Sequence, residues 1–152
     1  MDMTAPPGMK PRLVMIGNGM AGVRTLEELL KIAPDLYDIT VFGAEPHPNY
    51  NRILLSPVLA GEQTLDEIVL NDWSWYAEHG ITLHAGCTVH AVDRARRLVH
   101  ARDAAGTTIT APYDRLLLAT GPTPLLLPVP GPDLAGVLAY RGIADTQALI
   151  DP

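Results

Sequence analysis

The pattern of apolar and polar positions changes its period along the chain, and each change predicts a different element. Leu13–Ile16 is a short continuous apolar run that ends at a glycine, as expected for a parallel strand buried on both faces. From Met20 to Ile32 the apolar residues recur at helical spacing, and Pro34 ends the predicted helix. Asp38–Phe42 is a second β-rich run, so residues 13–42 are predicted to form one strand–helix–strand unit with a right-handed crossover.

Beyond residue 43 the pattern predicts an irregular segment, a short helix and then mainly strands. Residues 43–63 contain three prolines, so they are predicted to be irregular and to form a candidate binding loop. Asn71 or Asp72 can cap a helix in which Trp73 and Tyr76 share a face, and these aromatic residues are expected to pack in the core. A weak helical signal covers residues 143–150. The remaining strands are expected at residues 81–84, 88–92, 98–102, 107–110 and 115–119.

Composition and charge place this chain among folded proteins and exclude several function classes. The 152 residues are 47% hydrophobic and 18% charged, a balance typical of globular rather than disordered proteins. A formal charge of −6 argues against nucleic-acid binding, which relies on clustered Lys and Arg. Prolines interrupt the longest apolar run, around Leu125–Leu127, which argues against a membrane span. Residues 1–11 are predicted to form a disordered leader.

The lone cysteine indicates a compartment but no catalytic or metal site. Cys87 has no partner for an internal disulfide, which favours the cytoplasm, and it is expected to be a small buried residue. On extended backbone His84 and His90 would point one way and Cys87 the other, so no metal site is predicted. No triad, paired carboxylates or redox cysteines are visible, and no catalytic residue is predicted.

A glycine-rich motif follows the first strand immediately and opens the first helix. Residues 17–22 read Gly-Asn-Gly-Met-Ala-Gly and match the G-x-G-x-x-G pattern of dinucleotide-binding folds. Gly17 can make the tight turn, Gly19 lets a pyrophosphate approach the backbone, and Gly22 lets helix and strand pack closely. The free N–H groups and the positive dipole at the helix start then face the two phosphates. The predicted cofactor site therefore includes Gly17, Gly19, Met20, Ala21 and Gly22.

A carboxylate lies where this mechanism requires one. Glu45 stands 23 residues beyond Gly22, just past the second strand, where it can accept hydrogen bonds from the adenosine ribose hydroxyls. Either NAD or FAD would satisfy these features. NADP is less compatible, because the carboxylate would repel its additional phosphate. A glycine-rich turn without a ligand is the alternative.

The remaining segments resemble one family of flavoproteins. Leu116–Gly121 reads Leu-Leu-Leu-Ala-Thr-Gly and resembles the Ala-Thr-Gly element that closes the first half of the FAD domain in pyridine nucleotide-disulfide oxidoreductase-like flavoproteins. Within that group, the chain resembles the N-terminus of the large subunits of NAD(P)H-dependent assimilatory nitrite reductases. The segments that carry this likeness are residues 17–24, 39–42, 45–46, 50–52, 55–56, 73–76, 79–81, 116–121 and 140–141.

The resemblance implies a fold, a cofactor and further site residues. It implies an α/β Rossmann-like FAD-binding domain over residues 12–145, with a parallel sheet, a crossover helix and an added β-hairpin or meander, incomplete at the C-terminus. Residues 146–152 would begin the crossover to a missing NAD(P)H domain. The implied flavin or phosphate contacts are Arg52, Ser56, Thr120 and Gly121; Arg52 has the chemistry of a phosphate partner.

The resemblance also implies partners that this chain does not itself contain. In a full-length protein, NAD(P)H would reduce FAD, and iron–sulfur and sirohaem centres would carry electrons to nitrite. We expect a C-terminal NAD(P)H-binding and redox region, or a separate subunit, to supply these parts. The 152 residues alone are predicted to be inactive, because one cysteine cannot hold an iron–sulfur cluster and no second glycine motif is visible. The alternatives are a non-catalytic adenine-dinucleotide module, a rubredoxin- or ferredoxin-reductase-like fragment, and a non-functional fragment.

Overall fold

The computed structural model describes residues 6–151 and confirms the predicted Rossmann-like α/β fold. Within these residues the α-helices are α1 (Met20–Ile32), α2 (Leu55–Leu59), α3 (Trp73–Glu78) and α4 (Ile143–Ile150). In chain order, the strands are β1 (Arg12–Ile16), β2 (Asp38–Gly43), β3 (Asn49–Tyr50), β4 (Val69–Asn71), β5 (Thr82–Ala85), β6 (Thr88–Asp93), β7 (Leu98–Arg102), β8 (Thr108–Pro112) and β9 (Arg115–Leu118).

A four-stranded parallel sheet forms around β1, in the order β5-β2-β1-β9. The register pairs Leu13 with Ile39 and Val14 with Leu116. Successive side chains of a strand point to opposite faces, and both faces of this strand are covered, which explains why β1 is continuously apolar from Leu13 to Ile16. Leu13 and Met15 join one core cluster with α1, whereas Val14 and Ile16 join a second cluster with β7 and β8. The predicted strand–helix–strand unit is confirmed.

Helix α1 starts and stops where the sequence indicates. Gly19 is its N-cap, in extended conformation, and Ala33 is its C-cap, directly before Pro34. Proline disfavours helical conformation in the residue that precedes it, which explains this end. The helix buries Val23 and Leu26 against the sheet.

The added meander is also confirmed. Strands β6, β7 and β8 form a three-stranded antiparallel sheet. The β7–β8 connection closes through Gly106, whose N–H donates to the Asp103 carbonyl at 3.0 Å. Beside this sheet, Asp114 accepts hydrogen bonds from the backbone N–H and Nε of Arg12, at 2.7 and 2.9 Å. Asp114 is only 8% exposed, so this ion pair ties the start of β1 to the connection before β9.

The described chain divides into two compact units. The first comprises the described residues through Tyr50 together with Asn71–Gly121 and holds the parallel sheet and the meander. The second comprises Asn51–Leu70 and the residues from Pro122 onward, and within it α2 packs against α4. The predicted domain boundaries at residues 12 and 145 stay predictions.

Two local expectations need correction. Residues 43–63 are not irregular throughout, because they contain β3, a 3₁₀ helix at Arg52–Leu54 and α2. Asp72 caps α3 as predicted, and Tyr76 is buried, but Trp73 is 53% exposed and does not belong to the core. The short α3 turns only part of its surface inward, so two residues three apart need not both be buried.

Of the predicted leader, residues 1–5 lie outside the described residues, whereas residues 6–10 are exposed and contain a turn closed by the Met9 N–H on the Pro6 carbonyl. Within residues 6–151, none of the helices is long and apolar enough to cross a membrane.

Candidate functional site

Gly17 forms the turn between β1 and α1 in a conformation that only glycine adopts readily. Its φ angle is +105°, and its N–H donates to the Phe42 carbonyl at 2.8 Å. A Cβ at this position would lie 2.1 Å from the carbonyl oxygen of Ala119, a backbone atom directly after β9. A side chain at residue 17 is therefore incompatible with the fold, whether or not a ligand binds.

Gly22 and Gly19 differ in whether the protein has room for a Cβ atom. A Cβ at Gly22 would lie 2.9 Å from both the Ala119 Cβ and the Met15 sulfur, so this glycine permits close packing of α1 on the sheet. A Cβ at Gly19 would meet no atom of the described chain within 4 Å. The fold itself therefore does not require glycine at residue 19, whereas a ligand in that open space would.

The open space lies at the N-terminus of α1. Among the described residues, no side chain caps the helix at Gly19, and the first turn carries the uncharged residues Met20, Ala21 and Gly22. The first N–H groups of a helix lack intrahelical acceptors, and the helix dipole places partial positive charge there. This end of a 13-residue helix therefore suits an anionic group such as a pyrophosphate.

Glu45 lies just past the C-terminal end of β2 in the same unit. The Tyr50 hydroxyl donates a 2.7 Å hydrogen bond to Oε2 of Glu45, and the backbone carbonyl of Glu45 accepts from the Gly86 N–H at 3.0 Å. Tyr50 is buried and Glu45 is half-buried, so the carboxylate is oriented from the protein side. This contact was not predicted from the sequence.

Thr120 and Gly121 follow β9 and are exposed. The Ala119 N–H donates to the Ile16 carbonyl at 2.8 Å, which extends the β1–β9 pairing as far as the glycine-rich turn. Thr120 therefore begins directly beside Gly17, and a Cβ at Gly17 would lie 3.1 Å from the Thr120 nitrogen. Both predicted segments reach the same edge of the sheet, where ligands bind in open α/β folds.

Arg52 and Ser56 lie in the second unit. Arg52 Nη1 donates to the backbone carbonyl of Arg141 at 2.7 Å, while Asp145 Oδ2 accepts from the N–H groups of Arg141 and Gly142 and so caps α4. Ser56 is exposed in α2. Arg52 thus has a structural contact within its own unit, and its role as a phosphate partner stays a prediction, as does the role of Ser56.

The His84–His90 stretch does not have the backbone that the sequence argument assumed. Gly86 has a φ of +69°, so the chain turns between β5 and β6 instead of continuing as one strand. The His84 ring stacks on the Phe42 ring with the ring centroids 4.9 Å apart, and burial lowers the pKa of His84. Cys87 is buried as expected, and burial raises the pKa of its thiol. Within the described part of the chain, no group of three or more His, Cys, Asp or Glu side chains is placed to hold a metal ion.

Sequence reasoning missed a polar link beneath the glycine-rich turn. The Tyr76 hydroxyl donates to Oδ1 of Asn18 at 2.7 Å and accepts from the Asn49 N–H at 3.2 Å. Tyr76 was predicted only as a core aromatic residue. Its hydroxyl was the available signal, because a buried phenol normally finds a hydrogen-bond partner.

Comparison with known proteins matches this arrangement to one family. The family model described as pyridine nucleotide-disulphide oxidoreductase matches residues 11–152. The chain belongs to this family. The match covers the glycine-rich turn, the Glu45 segment and the element around Thr120, and it agrees with the resemblance stated from the sequence.

Individual relatives refine the comparison. The chain is 51% identical over 141 residues to a nitrite reductase [NAD(P)H] of Bacillus subtilis, with 93% of this chain and 17% of the relative covered. It is also 51% identical to an assimilatory nitrate reductase electron transfer subunit of the same organism, with 93% and 18% covered. The chain thus spans less than one fifth of the length of these two relatives.

A solved structure shows the same fold. The NADH:rubredoxin oxidoreductase of Clostridium acetobutylicum superposes with a TM-score of 0.77 over 94% of this chain and 35% of that one. The sequence identity is 22%, so this likeness concerns the fold alone.

Proposed function

We propose that this chain binds FAD as part of an NAD(P)H-dependent oxidoreductase, and that it holds the cofactor by its ADP half. The observation that carries the proposal is the open space at Gly19, at the N-terminus of α1 that no described side chain caps, in a member of this family. N–H groups of Met20 and Ala21 would donate to the pyrophosphate, and Glu45 would accept from the ribose hydroxyls.

The residues present fit the cofactor on chemical grounds. A Cβ at residue 19 would fill the space where a pyrophosphate approaches, and the Glu45 carboxylate is already held by Tyr50 on the protein side. When bound, FAD supplies a carrier that accepts two electrons from a reduced nicotinamide and can pass them on. Thr120 and Gly121 are proposed to contact the cofactor at the end of β9, and Arg52 and Ser56 are proposed as further flavin or phosphate contacts.

We propose nitrite reduction as the activity of the whole protein, with further domains or a separate subunit supplying the NAD(P)H site and the iron–sulfur and sirohaem centres. The 51% identity to a nitrite reductase supports this assignment. Electron transfer to an assimilatory nitrate reductase is the second candidate, because the subunit that bears that name is equally similar at 51%. A cytoplasmic location and residues 12–145 as the first half of the FAD domain belong to the same proposal.

Titration of the 152-residue chain with FAD tests the binding proposal. We expect a stoichiometric complex, detected by the change in flavin fluorescence, and competition by ADP. Riboflavin, which lacks the pyrophosphate and the adenosine, should bind much more weakly. If riboflavin binds as well as FAD and ADP does not compete, the assignment of the glycine-rich turn is wrong.

A second measurement separates the two candidate acceptors. The protein purified with its partners from the source cell would be supplied with NAD(P)H, and the loss of nitrite and of nitrate would be followed separately. Nitrite loss coupled to nucleotide oxidation supports the first candidate, whereas nitrate loss without nitrite loss supports the second.

A further inference from the structure

A chain of polar contacts runs beneath the glycine-rich turn and connects it to the segment that carries Glu45. Asn18 occupies the second position of the glycine motif, and its Oδ1 accepts the 2.7 Å hydrogen bond from the Tyr76 hydroxyl. The same hydroxyl accepts from the backbone N–H of Asn49 at 3.2 Å. Asn49 begins β3, four residues beyond Glu45. One phenol thus contacts both segments.

Asn18 is positioned from two more directions. Its Nδ2 donates to the backbone carbonyl of His47 at 3.4 Å, a second link to the Glu45 segment. A Cβ at Gly43 would lie 2.9 Å from the Asn18 Cβ, so the glycine at the end of β2 makes room for this side chain. The half-buried Asn18 side chain is therefore held by contacts within the protein, while the adjacent Gly19 borders open space.

Tyr76 is suited to hold both segments. It is 2% exposed, lies in the core cluster shared by β1 and α1, and meets Trp75 edge-on with the ring centroids 5.1 Å apart. Burial raises the pKa of its hydroxyl above the ordinary value of 10.0, so the group keeps its proton and remains a donor to Asn18. A buried aromatic ring also has few alternative rotamers, which fixes the hydroxyl.

The contacts continue from Asn49 to α1. Nδ2 of Asn49 donates to Oδ1 of Asn71 at 2.8 Å, and Nδ2 of Asn71 donates to Oε1 of Glu27 at 3.0 Å. Asn49 and Asn71 are 3% and 5% exposed, so these bonds are largely shielded from water. The turn, the Glu45 segment and helix α1 therefore share one hydrogen-bond network.

We propose that the Tyr76 hydroxyl is a positioning group for the dinucleotide: it sets the distance between the glycine-rich turn and the Glu45 segment. The inference rests on the proposed function, in which the turn contacts the pyrophosphate and Glu45 the ribose. A ligand that spans both segments depends on their separation, because small misplacements of binding groups weaken every contact made at once. FAD and ADP both span them.

The test is the affinity of the full 152-residue chain for ADP and FAD, measured by calorimetry, in the wild type and in Tyr76→Phe. This substitution retains the ring and removes only the hydroxyl. We expect both ligands to bind about tenfold more weakly, equivalent to about 1.4 kcal/mol. Tyr37→Phe is the matched control, because the Tyr37 ring packs against the same core cluster and takes no part in the Asn18 contacts described here; its affinities should equal those of the wild type.

A double-mutant cycle shows whether Tyr76 acts through Asn18. Asn18→Ala should weaken ADP binding by a similar factor, and the double variant should bind about as the weaker single variant does, not with the product of the two effects. A purely structural role would lower the melting temperature of Tyr76→Phe and leave its ADP affinity intact. Full additivity in the cycle would also overturn the inference.

The possible failures are distinguishable. A wild-type chain that binds neither FAD nor ADP refutes the proposed function itself. A wild type that binds, with Tyr76→Phe of equal affinity, refutes only the positioning role. If Tyr76→Phe does not fold, Asn18→Ala decides, because it removes the acceptor and leaves the core ring in place; native circular dichroism with unchanged ADP affinity in that variant overturns the inference.

Discussion

The substitution Gly19→Val separates what the fold needs from what a ligand needs. Gly19 has φ −87° and ψ −179°, extended angles that valine adopts without strain. A Cβ at this position meets no described atom within 4 Å, so the folded protein can accept the side chain. The pyrophosphate, in contrast, would have to share that space with the valine methyl groups. We expect a folded protein that no longer binds the dinucleotide.

Gly19→Val should reduce the stability of the protein much less than it reduces the affinity for the dinucleotide. Valine is a poorer N-cap than glycine, which costs about 1 kcal/mol of folding free energy and lowers the melting temperature by about 2–4 °C. Hydrogen bonds to charged groups contribute about 1.5–3 kcal/mol each, so losing two N–H contacts to phosphate weakens binding at least about 100-fold. The effect on affinity therefore exceeds the effect on stability.

The assay pairs a thermal melt with an FAD titration, and Gly17→Ala provides the contrast. Gly17 has φ +105°, and its Cβ would lie 2.1 Å from the Ala119 carbonyl oxygen, so this variant should lose at least about 3 kcal/mol and melt at least about 6 °C lower. Equal FAD affinity in the wild type and Gly19→Val would place the pyrophosphate elsewhere. If Gly19→Val lowers the melting temperature as much as Gly17→Ala does, the space at residue 19 is not open as inferred.

Three further predictions use the same protein. Glu45→Gln should weaken ADP binding by about tenfold, because it removes the acceptor for the ribose hydroxyls, and Tyr50→Phe should weaken it by less, because it removes only the 2.7 Å hydrogen bond that orients Glu45. If calorimetry shows the larger loss of affinity in Tyr50→Phe, Tyr50 and not Glu45 is the ligand. Asp114→Ala should destabilise the fold by about 1.5–3 kcal/mol, since Arg12 loses a buried partner, and FAD affinity measured well below the melting temperature should stay unchanged. Hydrogen bonds from Asn71 and Arg24 lower the pKa of Glu27 below its ordinary 4.5. The wild type should therefore be more stable than Glu27→Gln above about pH 4.5, and this advantage should vanish as the pH falls and the carboxylate becomes protonated. A difference in melting temperature between the two proteins that grows toward acidic pH would contradict this prediction.

The backbone of the candidate site could be predicted from the sequence because the period of the apolar residues and the spacing of the glycines depend on backbone geometry. The change from a continuous apolar run to helical spacing at Met20 located β1 and α1, and the motif between them located the turn. Even the separate roles of Gly17 and Gly22 were predictable, since each reflects a local steric demand. Glu45 could be proposed as a ribose ligand because its distance along the chain from the motif is set by the length of one crossover unit.

The parts that the sequence did not reveal depend on contacts between distant residues. Trp73 and Tyr76 look equivalent on a helical pattern, yet α3 buries one ring and exposes the other, because only tertiary packing decides which side of so short a helix faces the core. The 3₁₀ turn after Asn51 and the short α2 escaped detection because they are too brief to show a period. Hydrogen bonds that cross more than twenty residues have no local signature at all.

The hydrogen bonds that support the candidate site have one chemical feature in common. The two groups proposed to define the cofactor site, the Glu45 carboxylate and the turn that contains Asn18, each accept a hydrogen bond from a buried tyrosine hydroxyl, Tyr50 and Tyr76 respectively. A phenol contributes apolar area to the core and one polar atom at its tip, so it can belong to the hydrophobic cluster and still reach a group at the surface. Two buried tyrosines therefore support the candidate site, and the sequence pattern assigned only Tyr76 of the two to the core. Removing either hydroxyl while keeping the ring isolates this second role, which is why tyrosine-to-phenylalanine substitutions, rather than truncations to alanine, are the informative changes in this protein.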